Sequence, residues 1–354
     1  MVSEPGRTSV SEKVGNVQLV DLIGKVVEGV NLTAAESEAA FDRFMDGSAS
    51  EVEMAGLLTG LRTKGANHTE IAGGVRALRK AMVSVRSSDP GRLVDTAGTG
   101  GGVVTTFNIS TAAALVAAGA GIPIAKHGNR SFTSRSGSAD VLEALGVDIN
   151  LTPERMAEIL EEEGIVFMFA PLLHPAMRYV GPVRRELGIT TIMNILGPLT
   201  NPAGALRQVM GVADPRLRGL VARALQEIGH LRALVVHGDP GMDEISPSGV
   251  TYISELSDSG IVEYEVTPEL LGLEPATLES LAGGDPEYNA SVIQSVLAGH
   301  EGGARTAVLL NAAAAITVGG QSASLQEGVS LATSSIDSGA AAAALERLRT
   351  ASNV

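Results

Sequence analysis

The sequence predicts an α/β protein, with a small N-terminal all-helical domain and a large α/β domain whose mainly parallel central sheet is flanked by helices. Two patterns and one compositional feature predict it. Apolar residues up to about Met82 recur at helical spacing, and beyond a Pro/Gly break short apolar runs alternate with helical patterns. Such alternation builds a parallel sheet with helices on its faces, and ligands then gather at the carboxyl ends of the strands. The 42 Gly, the Ala-rich tracts and an aromatic content of only 3% point to close helix contacts and backbone-lined turns.

Residues 1–16 form a polar N-terminal extension without a continuous apolar segment. The helical domain is placed at 17–86, where Leu19, Leu22, Ile23, Val26 and Val27 make an apolar stripe. Thr33 with Glu36 and Ser48 with Glu51 have capping-box spacing, and Asn67 with Glu70 is a looser variant, so three or four short helices are expected. Helices around 174–200 are expected to complete this domain. Ser87-Ser88-Asp89-Pro90-Gly91 breaks the helical pattern and marks the boundary.

The large domain is placed at 91–345. Strands are expected at Leu93–Asp95, Ile122–Ala125, Ile165–Phe169, Val209–Val212 and Ala233–His237, and helices at Thr111–Gly119, Thr152–Glu163 and Pro215–Ile228. Thr152-Pro153-Glu154 combines a capping hydroxyl, a first-turn proline and a carboxylate near the positive end of the helix dipole, and Gly164 closes that helix. Val250–Tyr264 reads as antiparallel strands, and from Asn289 onward the chain is mostly helical.

Composition excludes several functions. With no Cys there is neither a disulfide scaffold nor a thiolate metal site or nucleophile. Forty Asp plus Glu against 26 Lys plus Arg give a net charge of −14, which disfavours nucleic acid and anionic membranes. No stretch of about 18 apolar residues occurs, so a soluble cytoplasmic protein is expected.

Three constellations carry chemistry. The first, Asp95-Thr96-Ala97-Gly98-Thr99-Gly100-Gly101-Gly102, follows a strand and leads through Thr105, Thr106, Asn108, Ser110 and Thr111 into a helix. Glycines let main-chain amides converge on an anion and the helix start adds free N–H groups, which suits a diphosphate; a ligand-free tight turn is the plain alternative. It is neither a Walker A loop nor a clean dinucleotide fingerprint. The second runs from Lys126 to Asp140, with three cations and five hydroxyls crowded together in an acidic protein. That is a composition for collecting phosphate oxygens, although a solvated basic loop would share its charge. The third is Gly241-Met242-Asp243-Glu244-Ile245, whose adjacent carboxylates suit hard cations and equally suit a solvated loop.

Gly98-Thr99-Gly100-Gly101, Asn108-Ile109-Ser110-Thr111, Lys126-His127-Gly128-Asn129-Arg130 and Gly241-Met242-Asp243-Glu244 together resemble the signature set of anthranilate phosphoribosyltransferases, in order and spacing. The resemblance runs from about Val17 to the late 330s and includes Phe169-Ala170-Pro171, His174-Pro175, Arg184 and the Asn194 to Pro202 segment. It implies transfer of the phosphoribosyl group of 5-phosphoribosyl 1-pyrophosphate to the amine of anthranilate, in tryptophan biosynthesis. It further implies donor binding by Gly98, Gly101, Gly102, Thr106, Asn108, Ile109, Ser110, Thr111, Lys126, His127, Gly128, Asn129, Arg130, Ser131, Phe132, Thr133, Ser134 and Ser138. Anthranilate would meet Gly98, Asn129, His127, His174 and Arg184. Two magnesium ions per subunit would be held by Ser110, Asp243 and Glu244, and the enzyme would be a homodimer joined through the helical domain. Arg184 and Arg185 also suit a solvated helix face, and His174 before Pro175 also suits a turn cap.

The chain departs from the family at Gly102, where an acidic residue is common. No covalent nucleophile or acid/base dyad is implied. The rivals are a pyrimidine nucleoside phosphorylase, a class lacking the Gly-Met-Asp-Glu and Lys-His-Gly-Asn-Arg runs, and a non-catalytic nucleic-acid-binding relative, which the net charge opposes.

Overall fold

The computed structural model describes residues 18–131 and 135–354; the N-terminal extension, Val17, Phe132, Thr133 and Ser134 lie outside the described residues. The chain opens with four helices, α1 (Leu19–Val27), α2 (Ala34–Met45), α3 (Glu51–Lys64) and α4 (His68–Ala81). Thr33 and Glu36 close a full capping box on α2. The second box is Ser50 with Glu53, not Ser48 with Glu51, because the Ser48 N–H turns back to the Asp46 carboxylate at 2.8 Å and leaves Ser50 as the extended residue before α3. Asn67 and Glu70 form a complete box, not a looser one. The Glu70 carboxylate is fully buried and also accepts from the Leu32 N–H at 2.8 Å and Lys64 Nζ at 3.0 Å, so one side chain ties three segments of the bundle.

After the Pro90-Gly91 turn the chain alternates as predicted: β1 (Val94–Gly98), α5 (Ile109–Gly119), β2 (Ile124–Gly128), α6 (Ser138–Ala144), α7 (Pro153–Glu163), β3 (Ile165–Phe169), α8 (Ala170–Leu173), α9 (Met177–Leu187), α10 (Met193–Leu196), β4 (Arg207–Gly211), α11 (Arg218–Glu227), β5 (Arg232–Gly238), β6 (Thr251–Ser257), β7 (Gly260–Val266), α12 (Pro286–Leu297), α13 (Gly303–Gly319), α14 (Leu325–Asp337) and α15 (Ala340–Ser352). The described residues form one seven-stranded sheet in the order β3-β2-β1-β4-β5-β6-β7. The first five strands are parallel and the last two antiparallel. Strand order reverses between β1 and β4, which opens a crevice at their carboxyl ends.

Two strands reach further than their apolar runs suggest. β1 continues through Asp95 and Thr96 to Gly98, and β2, expected at Ile122–Ala125, instead spans Ile124–Gly128 and carries Lys126 and His127 inside the sheet. α5 starts at Ile109 rather than Thr111, which puts Ser110 in its first turn. A 3-10 turn over Pro215–Leu217 precedes α11.

Successive residues of a strand face opposite sides, so β4 and β5 feed two separate cores. Val209, Leu234 and Val236 join the core beneath α5 and α13–α15, where Ala112–Ala118 and Ala312–Ala315 pack fully buried. Met210, Val212, Ala233 and Val235 join the other, which holds Phe41, Phe44, Leu57 and Leu58 of the bundle together with α9, α10 and α11. Among the described residues no helix is long and apolar enough to cross a membrane.

Candidate active site

The crevice is closed by the segment after β5. Gly98 and Gly211, register partners at the ends of β1 and β4, lie directly beneath Asp243. A Cβ on Gly98 would sit 2.4 Å from Asp243 Oδ2, and one on Gly211 would sit 1.7 Å from the Asp243 carbonyl oxygen, so only glycine admits the acidic pair here. Gly100 and Gly101 adopt φ of 66° and 78°, and the Gly100 N–H donates to Asp243 Oδ2 at 2.8 Å. The Ser110 N–H, at the start of α5, donates to Glu244 Oε1 at 3.2 Å. The glycine loop and the helix start therefore meet the acidic pair, more than 130 residues further along the chain, at one point.

Charge at this point is unbalanced. Lys126 is buried in β2, its Nζ donating to the Thr96 carbonyl at 2.6 Å and lying 3.4 Å from Ser110 Oγ. Burial lowers its pKa, against the opposing pull of the Asp95 and Glu244 charges. Burial pushes Asp95 up to about 6. It raises Asp243, with the Gly100 N–H working the other way, and pushes Glu244 up to about 8, the Asp243 charge adding to the rise. One buried ammonium thus lies among the buried Asp95 and the half-buried Asp243 and Glu244. Oxygen donors on Ser110, Asp243 and Glu244 with a deficit of positive charge fit a hard divalent cation. No group of three or more His, Cys, Asp and Glu side chains suited to a metal occurs among the described residues. An ion here would take its remaining ligands from water or from substrate oxygens, as magnesium does.

The second constellation is divided. Lys126 serves the sheet, while Arg130 is bonded to Asp140 (2.8 Å) and Glu143 (2.5 Å) and lies 5.5 Å over the Phe169 ring. Arg135 is exposed, 3.9 Å from Asp285. The three cations do not form one open basic patch. The Asn129 carbonyl accepts from Ser138 Oγ at 3.3 Å and the Ala139 N–H, and Asp140 accepts from the Gly137 and Ser131 N–H groups, so this loop is folded against the start of α6. Ile109 and Thr111 are buried, and Thr111 Oγ1 has no hydrogen-bond partner among the described residues, so the segment offers its backbone and Ser110 rather than these two side chains. Thr106 pairs with Ala282, and Gly102 lies beside Gly241.

His127 Nε2 and His174 Nε2 are 3.1 Å apart, which brings the start of the α9 segment to the end of β2. Burial pushes the two rings down to about 3 and about 4, and both are neutral at pH 7. Arg184, in the last turn of α9, is partly buried, and burial lowers its pKa. Its guanidinium makes no hydrogen bond or ion pair among the described residues, while its carbonyl accepts the Gly188 N–H at 3.2 Å.

Sequence reasoning assigned no role to Asp95 and Asn201. Asp95 Oδ1 accepts from the His127 N–H at 3.2 Å, while Asn201 Nδ2 bridges Asp95 Oδ2 and the Ala125 carbonyl, both at 2.8 Å. The available signal was an acid at the centre of an apolar run, which a buried strand tolerates only with partners.

The model of the glycosyl transferase family a/b domain matches residues 90–342, and that of its helical bundle domain matches residues 20–82. The chain is 51% identical to the anthranilate phosphoribosyltransferase of Rubrobacter xylanophilus and 50% identical to that of Symbiobacterium thermophilum, over 93% of this chain and 96% of each relative. The crystal structure of the Thermus thermophilus anthranilate phosphoribosyltransferase is 45% identical with a TM-score of 0.89, covering 94% of this chain and all of that one. The Saccharomyces cerevisiae enzyme in complex with PRPP and Mg is 27% identical with a TM-score of 0.85, over 95% and 98% of the two chains. With a helical bundle set against a mainly parallel sheet, and with relatives this close over nearly its whole length, the chain belongs to the anthranilate phosphoribosyltransferases, pentosyl-transferring enzymes of the glycosyl transferase family.

Proposed function

We propose that the crevice at the ends of β1, β2, β4 and β5 is where the phosphoribosyl group passes from 5-phosphoribosyl 1-pyrophosphate to the amine of anthranilate. The observation that carries this is the meeting of Gly98, Gly100, Ser110, Asp243 and Glu244 at one point of the crevice, two adjacent carboxyl groups beside backbone N–H donors. The glycine loop and the first turn of α5 offer backbone N–H groups to the diphosphate. Ser110, Asp243 and Glu244 would hold magnesium, two ions per subunit. Magnesium, when bound, supplies positive charge that stabilises the departing pyrophosphate. Asn129, Gly98 and the neutral His127–His174 pair line the approach of anthranilate, and Arg184 meets its carboxylate.

The aryl amine is neutral at pH 7 and attacks the anomeric carbon directly as pyrophosphate leaves, and the proton of the new anilinium nitrogen then passes to water or to the departing pyrophosphate. No base is needed before attack, and the two imidazoles, held neutral by burial, carry no charge at the approach of anthranilate. Holding the two substrates in line supplies much of the remaining acceleration. The enzyme works in the cytoplasm as a homodimer through the bundle, where Val20 and Val27 of α1 and Val52 of α3 are exposed. Mixing the enzyme with anthranilate, magnesium and the donor should extinguish anthranilate fluorescence; persistence of the signal at saturating donor would refute the assignment.

Gly102 bears on the metal reading. A Cβ there would stand 3.0 Å from the Gly241 carbonyl and 3.5 Å from Asp243 Oδ1, so Gly102→Asp places a third carboxylate beside the acidic pair. The magnesium concentration for maximal rate should shift in this variant. An unchanged magnesium titration would remove this position from the metal site.

A further inference from the structure

The segment between β7 and α13 belongs to none of the three constellations, yet it lies along the donor loop. The Phe107 N–H donates to the Leu281 carbonyl at 3.0 Å, and Thr106 bridges Ala282. A Cβ on Gly283 would stand 2.3 Å from the Thr106 carbonyl oxygen, so the two backbones touch with no room for a side chain. Asn289, in α12, completes the contact and is 2% exposed. Its Oδ1 accepts the Gly284 N–H at 2.8 Å, which fixes the orientation of its amide. Its Nδ2 then necessarily faces Asn108, donating to Asn108 Oδ1 at 2.9 Å.

That bond orients the second amide in turn. With Oδ1 of Asn108 engaged by Asn289 and also accepting from Ser136 Oγ at 3.2 Å, its Nδ2 donates to the Ser136 carbonyl at 3.2 Å. Asn108 thereby ties the start of α5, proposed above to hold the diphosphate, to the loop that leads into α6, which the family resemblance also assigns to the donor. An amide chain with every orientation set by a backbone group holds its neighbours in one geometry.

We infer that Asn289 is a positioning residue for binding of the sugar diphosphate, acting through Asn108, with Gly283 allowing the approach. The inference rests on the donor-binding reading of the Asn108 segment. Asn289 touches no reacting atom in this arrangement; it sets where the first turn of α5 presents its N–H groups.

Asn289→Asp keeps the shape and sets an acceptor against Asn108 Oδ1. The variant should raise both the KM for phosphoribosyl pyrophosphate and its calorimetric Kd in magnesium by about tenfold. The KM for anthranilate should stay within about twofold, because Asn289 and Asn108 bond to Gly284 and Ser136 and to none of the residues assigned to anthranilate. In Asn108→Ala/Asn289→Ala the donor affinity should fall no further than in Asn108→Ala alone, because the second residue acts through the first. If Asn289→Asp does not fold, Asn289→Ala and Gly283→Ala carry the same test. Unchanged donor affinity in a folded variant, equal changes for both substrates, or additive losses in the double variant would each overturn the inference. If Asn108→Ala alone leaves the donor Kd unchanged, it is the donor-binding reading that fails.

Discussion

Exchanging Asp243 and Glu244 for Asn and Gln is expected to reduce turnover by about two to three orders of magnitude, the usual scale for removing preorganised charge stabilisation. Activity should also cease to respond to magnesium. The fold should survive, because each amide is close in shape to the acid it replaces and the exchange removes like charges that burial already disfavours. A melting temperature equal to or above that of the parent, with activity lost, is the expected pair of results. Full activity and an intact magnesium response in the double variant would remove both carboxylates from the metal site.

Arg184→Ala is expected to raise the KM for anthranilate by roughly 30- to 150-fold, corresponding to about 2 to 3 kcal/mol for a charge-assisted hydrogen bond. The KM for the sugar donor should move little. The physical reason lies in the empty company of this guanidinium. It is partly withdrawn from water and has no acid within ion-pair distance among the described residues, so an incoming carboxylate finds a cation already partly desolvated. Equal increases for both substrates would place Arg184 elsewhere in the reaction cycle.

Much of this was legible in the sequence, and the failures share a cause. Apolar runs located β3 to the residue, but β1 and β2 extend into polar stretches because Asp95, Lys126 and His127 are buried with partners from other segments. Local pattern reads burial through hydrophobicity and cannot see a partner 32 or 106 residues away. The capping error at Ser48 has the same origin on a smaller scale. Its spacing was right, but a competing Asp46 carboxylate two residues back claimed its N–H. The crowding of Lys126, Arg130 and Arg135 suggested one basic patch. Sheet direction and the acids of α6 separate them, a result that counting charge along the chain does not contain.

The core that begins among Phe41, Phe44 and Leu58 continues without a seam through Leu196 and Leu225 onto Met210 and Val235 of the sheet. Neither part of the chain can hide its share of that surface alone. A backbone cut in the Ser87–Gly91 bend would therefore leave two pieces bound to one another like subunits of an obligate heterodimer. The boundary that the sequence marks at this bend is therefore crossed by a shared core, and the two sides are expected to unfold together.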